Sequence, residues 1–211
     1  MKVVVFGGTG GTGVHVVREA LAAGHEVTVV ARTPGKVTEK HPQLAVVRGD
    51  VTDAESVRQA IEGKDAVISA LGAPSSRPPV TIHRVGIANI LDGMKGAGVR
   101  RLVAISSGGH YKGHDPNSTR FFEWIIRPLF LRHIYEDMAV MDERIEASDV
   151  EWTILRPPRL LDKPATGRVR EAPDVWVLPK GQTIPRADLG RVAVEKLDDR
   201  ASVGRYIAVA T

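Results

Sequence analysis

The sequence predicts an α/β domain: a parallel sheet with helices on both faces. Short continuous apolar runs recur along the chain, and stretches with helical apolar spacing separate them. A cluster of glycines and threonines lies directly between the first run and the first helix. At 211 residues the chain suits one such domain, large enough to bury roughly 70% of its unfolded surface.

The first run, residues 3–6, is Val-Val-Val-Phe and ends in glycines, which reads as a strand buried on both faces. Across residues 11–23 the apolar positions Val14, Val17 and Leu21 follow a helical period, and Gly24 stops the helix. Residues 27–30 and 44–47 are the second and third strands, and Asp53 offers an N-cap for a helix reaching Ile61. Residues 66–69 form the fourth strand, followed by a loop over 72–79, a helix over 80–95 and a fifth strand over 102–105. A loop over 106–116 leads to an apolar helical stretch over 118–127. Pro128 ends or kinks that stretch and starts the next helix, which runs to Ala147. Residues 152–155 are the sixth strand, halted by Pro157 and Pro158.

This alternation implies right-handed crossovers and a doubly wound sheet in the order 3-2-1-4-5-6, a single Rossmann domain over 1–211. Residues 157–211 are rich in Pro and Gly, with one helix over 186–197 and one strand over 206–209. They read as a small substrate-side cap plus an edge strand.

Bulk composition excludes several classes. Charged residues make up 26% and the net charge is +4, with Lys and Arg scattered rather than blocked, which argues against nucleic acid. No apolar run reaches about 18 residues, so no membrane span is expected, and the first residues lack a signal-peptide core. The absence of cysteine removes disulfides, thiolate catalysis and Cys-ligated metals, and fits a cytoplasmic setting. Among the 7 histidines, His110 and His114 are four apart but have no third ligand nearby, so no metal site is expected.

The chemistry concentrates at Gly7, Gly8, Thr9, Gly10, Gly11, Thr12 and Gly13. Gly7, Gly10 and Gly13 let the chain turn tightly, let a pyrophosphate approach the backbone and let the helix pack close to the strand. The N–H groups at the helix start then face the phosphates. After the second strand, Ala31-Arg32-Thr33-Pro34-Gly35-Lys36 offers no carboxylate for a ribose 2′-hydroxyl. Arg32 can pair with a 2′-phosphate, with Lys36 as a second cation or merely a solvated one, so NADP(H) is the expected cofactor. Asp50, followed by Val51, either reaches the adenine or caps the next helix. Ala70, Leu71 and Gly72 line the adenosine side of the crevice.

The segments VFGGTGGTG, LAAGHEVTVVAR, GDV, DAVISALG, ISS and WTILRPP resemble the atypical short-chain dehydrogenase/reductases. The likeness is greatest to the biliverdin reductase B/flavin reductase group and to NmrA-like NAD(P)H-binding proteins. It implies NADPH along the strand C-termini, Arg32 on the 2′-phosphate and Pro157 beside the nicotinamide. Ser107 matches the group's serine, which either donates to a substrate or satisfies local backbone. The chain departs from the superfamily at the Tyr-x-x-x-Lys pair. Tyr135 is followed at that spacing by Ala139 and Tyr111 by Asp115, and a tyrosine near pKa 10 is a poor acid without the lysine. Arg159 stands where the group has a histidine, and it suits an anionic substrate rather than proton donation. Phe121, Phe122, Trp124 and Phe130 read by default as core, otherwise as a substrate wall or dimer face.

Two functions follow as expectations. One is a reductase, monomer or homodimer, passing hydride to a small-molecule electron acceptor such as a flavin, quinone or tetrapyrrole. The other is a non-catalytic NADP(H) sensor.

Overall fold

The computed structural model describes residues 1–73, 80–110, 117, 119 and 122–211. Strands β1 (Lys2–Phe6), β2 (Glu26–Ala31), β3 (Leu44–Arg48), β4 (Ala66–Ser69), β5 (Arg101–Ile105) and β6 (Glu151–Arg156) stand in the order β3-β2-β1-β4-β5-β6, all parallel. The sheet does not stop at β6. Strand β10 (Arg205–Ala210) pairs parallel to β6, and β8 (Arg170–Pro173) closes the sheet antiparallel to β10. A separate parallel pair joins β7 (Arg159–Leu161) to β9 (Thr183–Pro185).

Helices cover both faces because the strands are apolar on both. Along β1, Val3 and Val5 enter one core, packed under α1 (Gly11–Ala22) and α5 (Arg186–Glu195). Val4 and Phe6 enter the other, under α2 (Ala54–Ile61), α3 (Ile82–Ala97) and α4 (Arg132–Glu146). Each fully buried Val, Leu or Phe is worth about 1.5–3 kcal/mol, so neither face tolerates water. Helix α1 ends as expected at Gly24, whose φ of 80° suits glycine and whose N–H reaches the Leu21 carbonyl.

Three expectations are corrected. The last strand is not an edge strand: β10 lies inside the sheet, and β8 takes the edge. Pro173 conceals β8 in the sequence, yet a proline is admissible on an edge strand. Nor does α5 belong to a cap. Its Leu189, Val192 and Ala193 are wholly buried in the core shared with α1. Finally, a wide π-type helix over Phe122–Leu131 runs through position 128, so the boundary with α4 falls at Arg132. Its described aromatic side chains do not enter the core: Trp124 and Phe130 are 78% and 63% exposed. Phe121 and position 118, where that helix was expected to begin, lie outside the described residues, as do most of the two loops before it. No helix among the described residues is long and apolar enough to cross a membrane.

Candidate functional site

At the C-terminal end of β1 the chain must reverse into α1 without leaving the sheet. Gly7 does this with φ 83°, and a Cβ there would stand 2.2 Å from the Ala70 carbonyl oxygen. A Cβ on Gly13 would stand 2.0 Å from the Gly7 carbonyl oxygen. The strand end, the helix and the loop after β4 therefore touch backbone to backbone, and no side chain fits between them. Gly10 occupies the N-cap of α1, without a side-chain cap, and no acidic residue lies in the first turn. The opening N–H groups of α1 have no intrahelical acceptor, and they face a crevice.

That crevice has a volume of about 500 Å³, within the range of ligand sites. Gly7, Thr9, Gly10, Gly11, Thr12, Arg32, Asp50, Val51, Ala70, Leu71 and Gly72 all stand on its wall. It runs from Arg32 and Asp50 at the ends of β2 and β3, past the glycine loop, to Ile105, Ser106, Ile134, Met138 and Leu160. Gly13 lies beneath the loop, where it sets the packing distance.

Asp50 does not cap α2 through its side chain. Its Oδ1 accepts from the Thr52 N–H at 2.9 Å and the Thr52 hydroxyl at 2.8 Å. The Thr52 N–H chiefly, and then its hydroxyl and nearby Arg32, hold this carboxyl below its ordinary pKa against the effect of burial. Asp53 occupies the N-cap position of α2 without a side-chain bond.

Ser107 and Pro157 do not stand on the crevice wall. The Ser107 hydroxyl accepts from the Gly109 N–H at 3.0 Å, and the Pro157 carbonyl accepts from the Gly108 N–H at 2.9 Å. Both brace the short helical turn Gly108–His110. The neighbouring Ser106 is the one that lines the crevice, and its Oγ is buried with no hydrogen-bond partner. Tyr135 packs over the same turn, its hydroxyl 2.2 Å from where a Gly109 Cβ would be. Helix α4 instead shows Ile134 and Met138 to the crevice. Arg159 is exposed on β7. Tyr111, Asp115 and His114 lie outside the described residues.

His110 is buried away from the crevice, its Nε2 3.2 Å from Asp142 Oδ2. Asp142 also pairs with Arg156 at 3.3 Å, and the Arg156 guanidinium lies between the rings of Trp176 and Tyr206. This is a buried charge network, and His110 belongs to it.

Three parts of the crevice wall could not be reached from the sequence: Ser106, the apolar residues and Arg186. Ser106 is one position from the expected Ser107, and the turn Gly108–His110, which engages Ser107, tells the two apart. Arg186 lies more than a hundred residues from the glycine loop, and no local spacing links them.

The residues present fit a dinucleotide. The glycine cradle has no room for side chains, helix N–H groups face the crevice, Arg32 stands at one end, and Ser106 offers an unpaired hydroxyl at the other. Fold and site together define an NAD(P)-binding Rossmann domain. The family model described as NAD(P)H-binding matches residues 7–200, and the chain belongs to that family. An uncharacterised chloroplastic protein of Arabidopsis thaliana is 30% identical, over 99% of this chain and 76% of its own length. In fold the chain is similar to the oxidoreductase ylbE of Lactococcus lactis, with a TM-score of 0.84 at 19% identity, covering 100% of this chain and 91% of that one. It is also similar to a short-chain dehydrogenase/reductase of Veillonella parvula in complex with NADP, with a TM-score of 0.79 at 16% identity, covering 100% and 94%.

Proposed function

We propose that the protein is an NADPH-dependent reductase whose acceptor is a flat conjugated molecule of the flavin, quinone or linear tetrapyrrole class. The observation that carries this is the wall farthest from Arg32. Among the described residues, Ile105, Ile134, Met138 and Leu160 form an apolar surface, with the buried, unpartnered hydroxyl of Ser106 beneath it. A planar ring fits such a surface, and a substrate that needs a charged acid or base finds none among its described residues.

The reduced nicotinamide supplies the hydride when bound. The protein's own part is alignment and exclusion of water, which can suffice when the acceptor stabilises its own charge. Ser106 donates to the acceptor or to the carboxamide. The glycine loop and the α1 N-terminus hold the phosphates. Preference for NADPH over NADH rests on Arg32, since Asp50, the one carboxylate among the described residues lining the crevice, accepts through Oδ1 from Thr52. The NADP complex of the Veillonella parvula fold relative supports that choice. Arg32→Ala is expected to weaken NADPH by tenfold or more and leave NADH unchanged; equal binding of both cofactors before and after the substitution removes this assignment.

The decisive experiment mixes purified protein, NADPH and FMN or a quinone and follows absorbance at 340 nm. Oxidation of NADPH supports the reductase. Ala139, standing where the superfamily has its lysine, favours a second reading: a non-catalytic NADP(H) sensor. Tight NADPH binding with no oxidation across a broad acceptor panel supports that sensor and ends the first reading.

A further inference from the structure

We propose that Arg186, from the C-terminal part of the chain, is a ligand for the cofactor pyrophosphate, held ready above the glycine loop. This rests on the cofactor reading and adds to it a residue far outside the glycine motif.

The geometry is specific. Arg186 stands on the crevice wall. Its stem lies over Gly11, so that a Cβ there would be 3.1 Å from both Cδ and Nε. Its Nη1 is 3.3 Å from Thr12 Oγ1. The guanidinium therefore covers the first turn of α1, where the free N–H groups meet an anion.

Electrostatics make this position costly without an anion. The N-terminus of a helix carries partial positive charge, and a cation is unfavourable beside it. Arg186 lies beside two such ends, that of its own helix α5, which carries Asp188 in its first turn, and that of α1. Helix α1 has no acidic residue in its first turn to compensate. The recorded counter-ion is Asp162, 2.8 Å from Nε but itself 86% exposed, and such a pair is weak and exchangeable. A pyrophosphate between α1 and the guanidinium neutralises all these groups at once. The arginine fork matches phosphate oxygens in pairs.

The position is also preorganised. Helix α5 docks on α1 at Gly190, where a Cβ would be 2.7 Å from His15 Cβ. The buried carboxylate of Asp188 accepts from the Thr166 and Gly167 N–H groups at 2.8 and 3.0 Å. Arg186 therefore stands on a fixed helix and reaches the crevice without a movement of the chain.

The test measures the affinities of NADPH and 2′-AMP for the wild type and for Arg186→Gln, Arg186→Lys and Asp162→Asn, with thermal melts as a folding check. Arg186→Gln is expected to weaken NADPH by tenfold or more, about 1.4 kcal/mol. It should leave 2′-AMP, which has no pyrophosphate, within about twofold. Arg186→Lys should fall between wild type and the glutamine variant, and it carries the test if the latter does not fold. Asp162→Asn should bind NADPH as well as wild type or better, because it frees the guanidinium. The proposal is overturned if NADPH binds the Arg186 variants as it binds the wild type, or if both ligands weaken together. It is equally overturned if Asp162→Asn weakens NADPH as much as Arg186→Gln, since Arg186 would then be a strut for the loop after β7. A wild type that binds neither ligand ends the cofactor reading itself, and this inference with it.

Discussion

Gly7 and Gly13 are tied to one another more closely than their spacing suggests. The Gly7 carbonyl oxygen receives the Gly10 N–H at 2.9 Å and lies where a Gly13 Cβ would be. Gly13→Ala therefore forces α1 away from β1, at a cost of about 1–3 kcal/mol. It should also weaken NADPH by more than tenfold, because the helix N–H groups move with the helix; thermal melting and fluorescence titration read the two effects. Gly24→Ala is the useful contrast. A Cβ there meets nothing within 4 Å, so the cost is that of a positive φ, about 1 kcal/mol, with cofactor affinity unchanged. The glycines at the two ends of α1 thus serve unlike purposes, Gly13 a close backbone approach and Gly24 a positive φ, and their contacts separate them.

Among the elements, α3 shows how far a helix can depend on a partner. Its N-cap residue Thr81 makes no side-chain cap. The cap comes from α4, where buried Asp137 accepts from the His83 N–H at 2.8 Å and the Arg84 N–H at 3.2 Å. Asp137 Oδ2 also lies 2.9 Å from His83 Nδ1. Asp137→Ala leaves these donors buried and unpaired, an expected loss of about 3 kcal/mol in urea unfolding. Burial lowers the His83 pKa below its ordinary 6.5, and Asp137 opposes that shift without cancelling it. The unfolded chain therefore takes up the proton first. This contribution is complete above pH 6.5 and is lost as pH falls through the lower folded value. Stability measured at pH 7.5 and 5.5 should differ by less in His83→Gln than in the wild type. An unchanged difference would assign the slope to other groups. Helix α3 also shows why boundaries were harder to read than elements. The expected span of 80–95 became Ile82–Ala97, because the cap that sets its start is 54 residues away.

Across the whole molecule, the contact between α1 and α5 joins the two ends of the chain and places Arg186 over the crevice. Gly190→Val should separate these helices and lower the melting temperature by several degrees, at about 1–3 kcal/mol. It should also weaken NADPH, although it touches no part of the crevice. A destabilised variant with unaltered NADPH affinity would show that α5 stabilises the fold without serving the site.

The strand order 3-2-1-4-5-6, the glycine loop and Arg32 could all be read along the chain. Each depends on neighbours in sequence: apolar runs of strand length, a turn confined to a few residues, a side chain at a strand end. Strand β8, the choice of Ser106 over Ser107, the exposure of Trp124 and Phe130 and the approach of Arg186 could not. Each is decided by what packs against it: β10 for the edge strand, the turn Gly108–His110 for the serine, the docking of α5 on α1 for the arginine. Local sequence determined where the crevice lies, since tight turns and buried strands are written in adjacent residues. Tertiary structure alone decided which distant side chains line it, because those residues meet only when distant helices pack.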